Sequence, residues 1–190
     1  NLLLYGAGAA GLAGIAVLAW APPHGLIGSV SQAPGQLMTV VENRHGIITI
    51  ARGRDADDIV YGGNVYDGRT NVDLVRNSNG IHRVAILSAL QPEPRRVLMV
   101  GLSIGSWLAL IRNFPGVEEI DVIEINDGYL DAARAYPAQE RAMADSRVRI
   151  HIDDARRWLR MNPSTRYDLV IMNTTWHWRA NTSLLLSRDY

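Results

Sequence analysis

RRVLMVGLSIGSWLALIRNF (95–114) is the stretch whose reading decides the fold. Its first seven residues make a short apolar run ending in glycine, as a buried strand does. From Ser103 to Phe114 the apolar residues fall at helical spacing, and Pro115 halts the run. Three further units repeat the pattern. EEIDVIEI (118–125) is a strand, followed by a helical stretch from Asn126 to Tyr136 that Pro137 interrupts. RVRIHI (147–152) leads into a short helix from Asp154 to Met161, and YDLVIMN (167–173) is a fourth strand. Strands alternating with helices at this spacing predict a parallel sheet with right-handed crossovers, an α/β doubly wound domain over 74–190.

Upstream, the pattern is different. TVVENRHGIITIAR (39–52) mixes β-branched residues around a His45-Gly46 break, which predicts a strand pair or bent strand. DDIVYGGNVYDGRT (57–70) continues in kind, with Gly62-Gly63 and Asp67-Gly68 as turn signals. A small antiparallel β unit over 39–73 is therefore expected. IHRVAILSAL (81–90) has the spacing of a short helix and ends before Pro92 and Pro94.

The 19 basic and 19 acidic residues balance, which argues against nucleic acid as a partner. There are no cysteines, so disulfides, thiolate metal sites and thiol nucleophiles are excluded, and no metal is expected. All the charges lie in 42–190; residues 1–41 carry none. Within that uncharged part, LLLYGAGAAGLAGIAVLAWA (2–21) is long enough to cross a bilayer core of about 30 Å as a helix. Trp20 suits the interface, Pro22-Pro23 ends the run, and Ala7, Ala10, Gly11 and Gly14 recur at the spacing that lets a second membrane helix approach. A basic n-region is missing, which disfavours a cleaved signal peptide. A transmembrane helix at 1–23, a connector at 24–38 and membrane-protein partners are the expectation. Arg44, Arg52 and Arg54 place the following domain on the cytoplasmic side. The missing initial Met suggests a chain that begins inside a longer protein, and 17 residues after Asn173 are too few to finish a doubly wound sheet. A fragment, or a partner over the open edge, is expected.

In such sheets ligands bind at the carboxyl ends of the strands. Gly101 and Gly105 bracket a turn there: Gly101 is free to adopt unusual dihedrals, Gly105 is expected to let helix and strand pack closely, and the helix start to offer free N–H donors. Glu124, near the end of the second strand, suits the two hydroxyls of a ribose. Asp153 and Asp154, after the third, are placed to accept from an adenine amino group. NTTWHW (173–178) follows the fourth. Together these point to an adenosine-containing ligand.

From about Val41 to Tyr190 the sequence resembles the polyamine aminopropyltransferase (spermidine synthase) family in its membrane-fused bacterial form. The likeness includes the β unit, His82 before the first strand, the glycine turn, Glu124, Asp154 and the ending NTSLLLSRDY (181–190). The resemblance implies a Rossmann-like domain of the class I S-adenosylmethionine-dependent transferase type. It implies S-adenosylmethionine or its decarboxylated form as cofactor, Gly101, Ser103 and Gly105 along the nucleoside and sulfonium, Glu124 at the ribose and Asp154 at the adenine. It also implies a bacterial inner-membrane location and a homo-oligomer.

Departures from the family pattern fall on the chemistry. The acidic residue usual in the glycine turn is replaced by Leu102, Ser103 and Ile104. The Tyr-His-Glu triplet reads Ile81-His82-Arg83, and the loop close to D-S-S-D reads Asn173-Thr174-Thr175-Trp176. An amide neither holds a cationic amine nor takes its proton as a carboxylate does. Ordinary spermidine synthesis is not expected. Asn173, His177 and His82 remain the candidate catalytic residues, the histidines because imidazole titrates near 6.5. His177 reads equally as a packed residue between Trp176 and Trp178. Two classes stay open: a transferase acting on another acceptor, and a non-catalytic accessory subunit of a membrane assembly.

Overall fold

The computed structural model describes residues 11–16, 35–54 and 57–173. The chain forms two compact units, Asn1–Gln32 and Ala33–Tyr190. In the first, residues 11–16 are helical and exposed. The rest of the expected span at 2–21, and the connector up to residue 34, lie outside the described residues. Among the described residues no helix is long and apolar enough to cross a membrane.

The second unit opens with an antiparallel sheet of four strands in sequence order: β1 (Leu37–Asn43), β2 (Gly46–Ala51), β3 (Ile59–Gly62) and β4 (Val65–Arg69). The expected β unit is therefore present as two hairpins. Gly63 and Asn64 both take positive φ and turn the second hairpin, as a two-residue loop of that hand requires. Asp67-Gly68 was expected to be a turn. It lies inside β4, where the register with β3 shifts between Val60 and Tyr61 and Gly68 takes φ +131°. Glycine at a bulge reads like glycine in a turn.

Two four-residue helices, α1 (His82–Ala85) and α2 (Leu87–Leu90), stand where one was expected. Then come β5 (Arg96–Val100), α3 (Ser106–Ile111), β6 (Glu119–Glu124), α4 (Gly128–Ala133), α5 (Pro137–Met143), β7 (Val148–Ile152), α6 (Ala155–Met161) and β8 (Leu169–Met172). The strands are parallel, in the order β7-β6-β5-β8, so the α/β expectation holds. Pro137 does not merely end a helix. It occupies the first turn of α5, where its missing N–H costs nothing.

β5 is central and apolar on both faces. Val97 and Met99 join Leu108, Ile111, Ile120 and Val122 on one side; Leu98 and Val100 join Ile123, Ala155 and Trp158 on the other. Each such side chain contributes about 1.5–3 kcal/mol on burial, so this strand anchors the domain. One buried acid interrupts the second face. Asp121 of β6 accepts from His151 Nε2 (2.7 Å) and from the Tyr167 hydroxyl (2.8 Å), so both its oxygens are satisfied.

The β unit is not a separate appendage. Ile48, Ile50 and Val60 share a core with Ile104, Tyr129, Ala132 and Ala133. Around this core Tyr136 donates to Asp58 (3.0 Å), the Ser106 hydroxyl to the Arg69 carbonyl (2.8 Å), and buried Gln139 to the Thr70 carbonyl (2.7 Å). Each contributes about 1 kcal/mol when made and costs about 1–3 kcal/mol if one partner is left bare. The β unit is thereby held over the start of α3 and the end of β6, where the candidate site lies.

Candidate functional site

Gly101 leaves the end of β5 with φ +86°, a conformation that side chains rarely adopt. A Cβ there would come within 2.9 Å of the Asn173 carbonyl oxygen, so glycine is required twice over. Leu102 and Ile104 are fully buried, one in each of the neighbouring cores, and carry the turn into the protein. Between them Ser103 takes φ +49°, a left-handed conformation costing a non-glycine residue about 1 kcal/mol or more. Gly105 caps α3 at φ +82°, but a Cβ there would meet only ordinary contacts at 3.6 Å. Its requirement is conformational; the expected close packing is not the reason.

The Ser103 strain is held by Glu124. Its Oε2 accepts from the Leu102 N–H (2.7 Å) and the Ser103 N–H (3.2 Å), and its Oε1 from the Asn126 N–H (2.9 Å). Hydrogen bonds to a charged group contribute about 1.5–3 kcal/mol, more than the strain of one residue. The Leu102 and Ser103 donors of this turn are therefore engaged from within the protein. Burial pushes the Glu124 carboxyl above its ordinary range; the three N–H groups oppose the shift, and nearby Asp67 adds to it. A carboxylate has about four acceptor sites, so the three N–H bonds leave one for a ligand hydroxyl. Holding both hydroxyls of a ribose would require one bond to the turn to give way.

Asp153 and Asp154 follow β7 as expected, but each already has partners. Arg157 contacts both oxygens of Asp153 at 2.7 and 2.6 Å. Asp154 is the N-cap of α6, accepting from the N–H groups of Arg156 (2.9 Å) and Arg157 (3.2 Å) and from the Arg156 guanidinium. That guanidinium, more than the backbone donors, holds the Asp154 carboxyl down at about 2.

Beside the turn lies a small cleft partly open to solvent. Asp67, Arg69, Arg83, Ser103, Trp107 and Asn173 lie along it. Of the expected catalytic residues, Asn173 is there. His82 is exposed, its backbone N–H and ring tied to Asn77, and it does not line the cleft. His177 lies outside the described residues. Arg83, next in sequence to His82, lines the cleft instead, its guanidinium carbon 5.1 Å from the centre of the Trp107 ring. Asp67 also enters unannounced. It accepts from the Tyr129 hydroxyl (2.6 Å), while its carbonyl accepts from Ser103 Oγ (3.3 Å). Among the described residues no group of three or more His, Asp or Glu side chains could hold a metal ion.

Comparison with known proteins adds the following. Residues 81–183 match the family model described as spermine/spermidine synthase domain. A polyamine aminopropyltransferase of Streptococcus uberis is 31% identical over 104 residues, covering 54% of this chain and 35% of that protein. A spermine synthase of Arabidopsis thaliana is 35% identical over 83 residues, covering 43% and 23%. The chain thus spans 35% and 23% of the length of these two relatives. Among solved structures, a spermidine synthase in complex with the transition-state analogue AdoDATO has the same fold, with TM-score 0.66 and 19% identity over 81% of this chain and 52% of that one.

The Asp154 geometry generates a pH-dependent prediction. Because its carboxyl is lowered from 3.8 to about 2 on folding, its stabilisation is complete above about pH 4 and is lost as pH falls toward 2. Asp154→Ala should cost about 1 kcal/mol near neutrality, the usual value of an N-cap. In urea denaturation the gap between wild type and variant should be smaller at about pH 3 than at about pH 7; a gap independent of pH would contradict the assignment.

Proposed function

The chain belongs to the spermine/spermidine synthase domain family, and from that premise we propose that it binds S-adenosylmethionine or its decarboxylated form and is not a putrescine aminopropyltransferase of the ordinary kind. The observation that carries the proposal is the buried Glu124 carboxylate at the end of β6, bonded to the glycine turn after β5. One acceptor site of that carboxylate is left for a ligand hydroxyl, and strand ends are where such sheets take a ribose. Decarboxylated S-adenosylmethionine is the donor suggested by homologues of the spermidine synthase type. Such a ligand supplies, when bound, an electrophilic carbon next to sulfur and its own leaving thioether.

What the chain must add is a grip on the acceptor amine and a place for its proton. Asn173, at the cleft, carries a neutral amide that accepts no proton near neutrality. Arg83 brings a positive charge to the same cleft, where a diamine would need a negative one. These two substitutions support transfer to an acceptor other than putrescine. A second reading, a non-catalytic accessory subunit, draws support from Asp153 and Asp154, whose carboxylates are already engaged by Arg157 and Arg156. In either case residues 2–21 are proposed to anchor the protein in a bacterial inner membrane, with this domain on the cytoplasmic side.

Isothermal titration with S-adenosylmethionine, its decarboxylated form and methylthioadenosine tests the nucleoside site. Binding of at least one is expected, weakened by roughly 1–3 kcal/mol in Glu124→Ala. No binding by the folded wild type would remove the proposal. Carbonate extraction of membranes tests the anchor: the protein should stay in the pellet, and its release into the supernatant would contradict the anchor.

A further inference from the structure

We infer that Asn43, in the β unit, is a positioning residue for the nucleoside site: it fixes the turn after β6 from which Asn126 donates to Glu124. The inference rests on the nucleoside reading above and extends that site to a side chain bonded to neither Glu124 nor the glycine turn.

Asn43 is the last residue of β1. Its amide nitrogen donates to Asn126 Oδ1 (2.7 Å) and to Asp127 Oδ1 (2.8 Å), while its own oxygen accepts from the His45 N–H (2.9 Å). An ionised carboxylate only accepts, so the Asn43 atom that meets Asp127 must be the nitrogen, and the amide has one orientation. Asn126 is buried, and the oxygen that takes the Asn43 bond also accepts from the Gly128 N–H (3.0 Å). The backbone N–H of the same residue reaches Glu124 Oε1 (2.9 Å). Asn43 thus holds the residue that supplies one of the three N–H groups on Glu124.

The fit at this point is close. A Cβ on Gly128 would lie 2.9 Å from Val41 Cγ1 and 3.0 Å from Asn43 Nδ2. Glycine there lets β1 lie directly against the start of α4. The bond to Asn126 is therefore made by a strand seated on the turn it holds.

Each N–H bond to a buried carboxylate favours its charged form. Of the three donors, Asn126 opposes the burial-driven rise of Glu124 most strongly. Asp67, which takes the Tyr129 hydroxyl, acts on Glu124 in the same direction as burial. A turn released from Asn43 would loosen the Asn126 bond, raise the carboxyl further and leave a weaker acceptor for a ribose hydroxyl.

Variants of the full chain test the assignment through three measurements. Methylthioadenosine affinity is read by isothermal titration, stability by urea denaturation, and the Glu124 carboxyl by its carbon resonance across a pH series. Asn43→Ala should bind methylthioadenosine about fivefold more weakly, the effect of one weakened hydrogen bond. Its Glu124 midpoint should move up by about half a pH unit. Asn43→Asp combined with Asp127→Asn exchanges amide and carboxylate, which restores a bond between β1 and the start of α4 but sets an acceptor against Asn126 Oδ1. This double variant should regain stability relative to Asn43→Ala, while its affinity stays low and its Glu124 midpoint stays high. A residue that only held the β unit in place would recover affinity and stability together, and that recovery would overturn the inference. Unchanged affinity and an unchanged Glu124 midpoint in a folded Asn43→Ala variant would overturn it as well. If methylthioadenosine binds wild type and Asn43→Ala equally, this inference falls alone; if it does not bind the wild type, the nucleoside reading falls and takes this inference with it.

Discussion

Three backbone N–H groups, two from the turn after β5 and one from the turn after β6, converge on the buried carboxylate of Glu124. Two neighbouring crossovers are thereby tied to one another at the open end of the sheet. Without that acceptor, Leu102 and Ser103 would present buried donors to nothing, and the left-handed backbone of Ser103 would have no compensation. The position of the cleft follows from this arrangement. Gly101 brings the chain against the end of β8 at Asn173, and Ser103 faces the carbonyl of Asp67 in the β unit.

The β unit is part of the site for the same reason. Tyrosines on and just after α4 reach back to acids of the β unit, Tyr129 to Asp67 and Tyr136 to Asp58. Each hydroxyl bond closes over a shared apolar core, so the antiparallel sheet contributes both a wall and a charge to the cleft. A domain defined by the parallel sheet alone would lack Asp67 and Arg69.

β5 and β6 were legible because inner strands buried on both faces leave largely apolar runs, whereas the edge strands β7 and β8 expose part of theirs; each of the four ends at a glycine or polar turn. The glycine turn and Glu124 were legible from their place at strand ends. Other features have ambiguous signatures. Pro137 begins a helix where it was read as interrupting one, since proline suits a first turn as well as a break. Gly68 sits in a bulge, which shares its residue preference with a turn. An acid between a strand and a helix can serve a ligand or cap the helix, and Asp154 caps it. His82 and Arg83 show a further limit: they are adjacent in a four-residue helix, and only its docking against α3 decides which of them borders the cleft. Asp67 gave no signal because its partners are 36 and 62 residues away in sequence.

Amide hydrogen exchange at Leu102 and Ser103 tests the tie most directly. If Glu124 holds the turn, both amides should exchange at least about a hundredfold more slowly in the wild type than in a folded Glu124→Ala variant, as expected for the loss of a charge-assisted bond. Exchange at the same rate in the two proteins would show that the turn stands without Glu124, and would contradict the account of how the site is built.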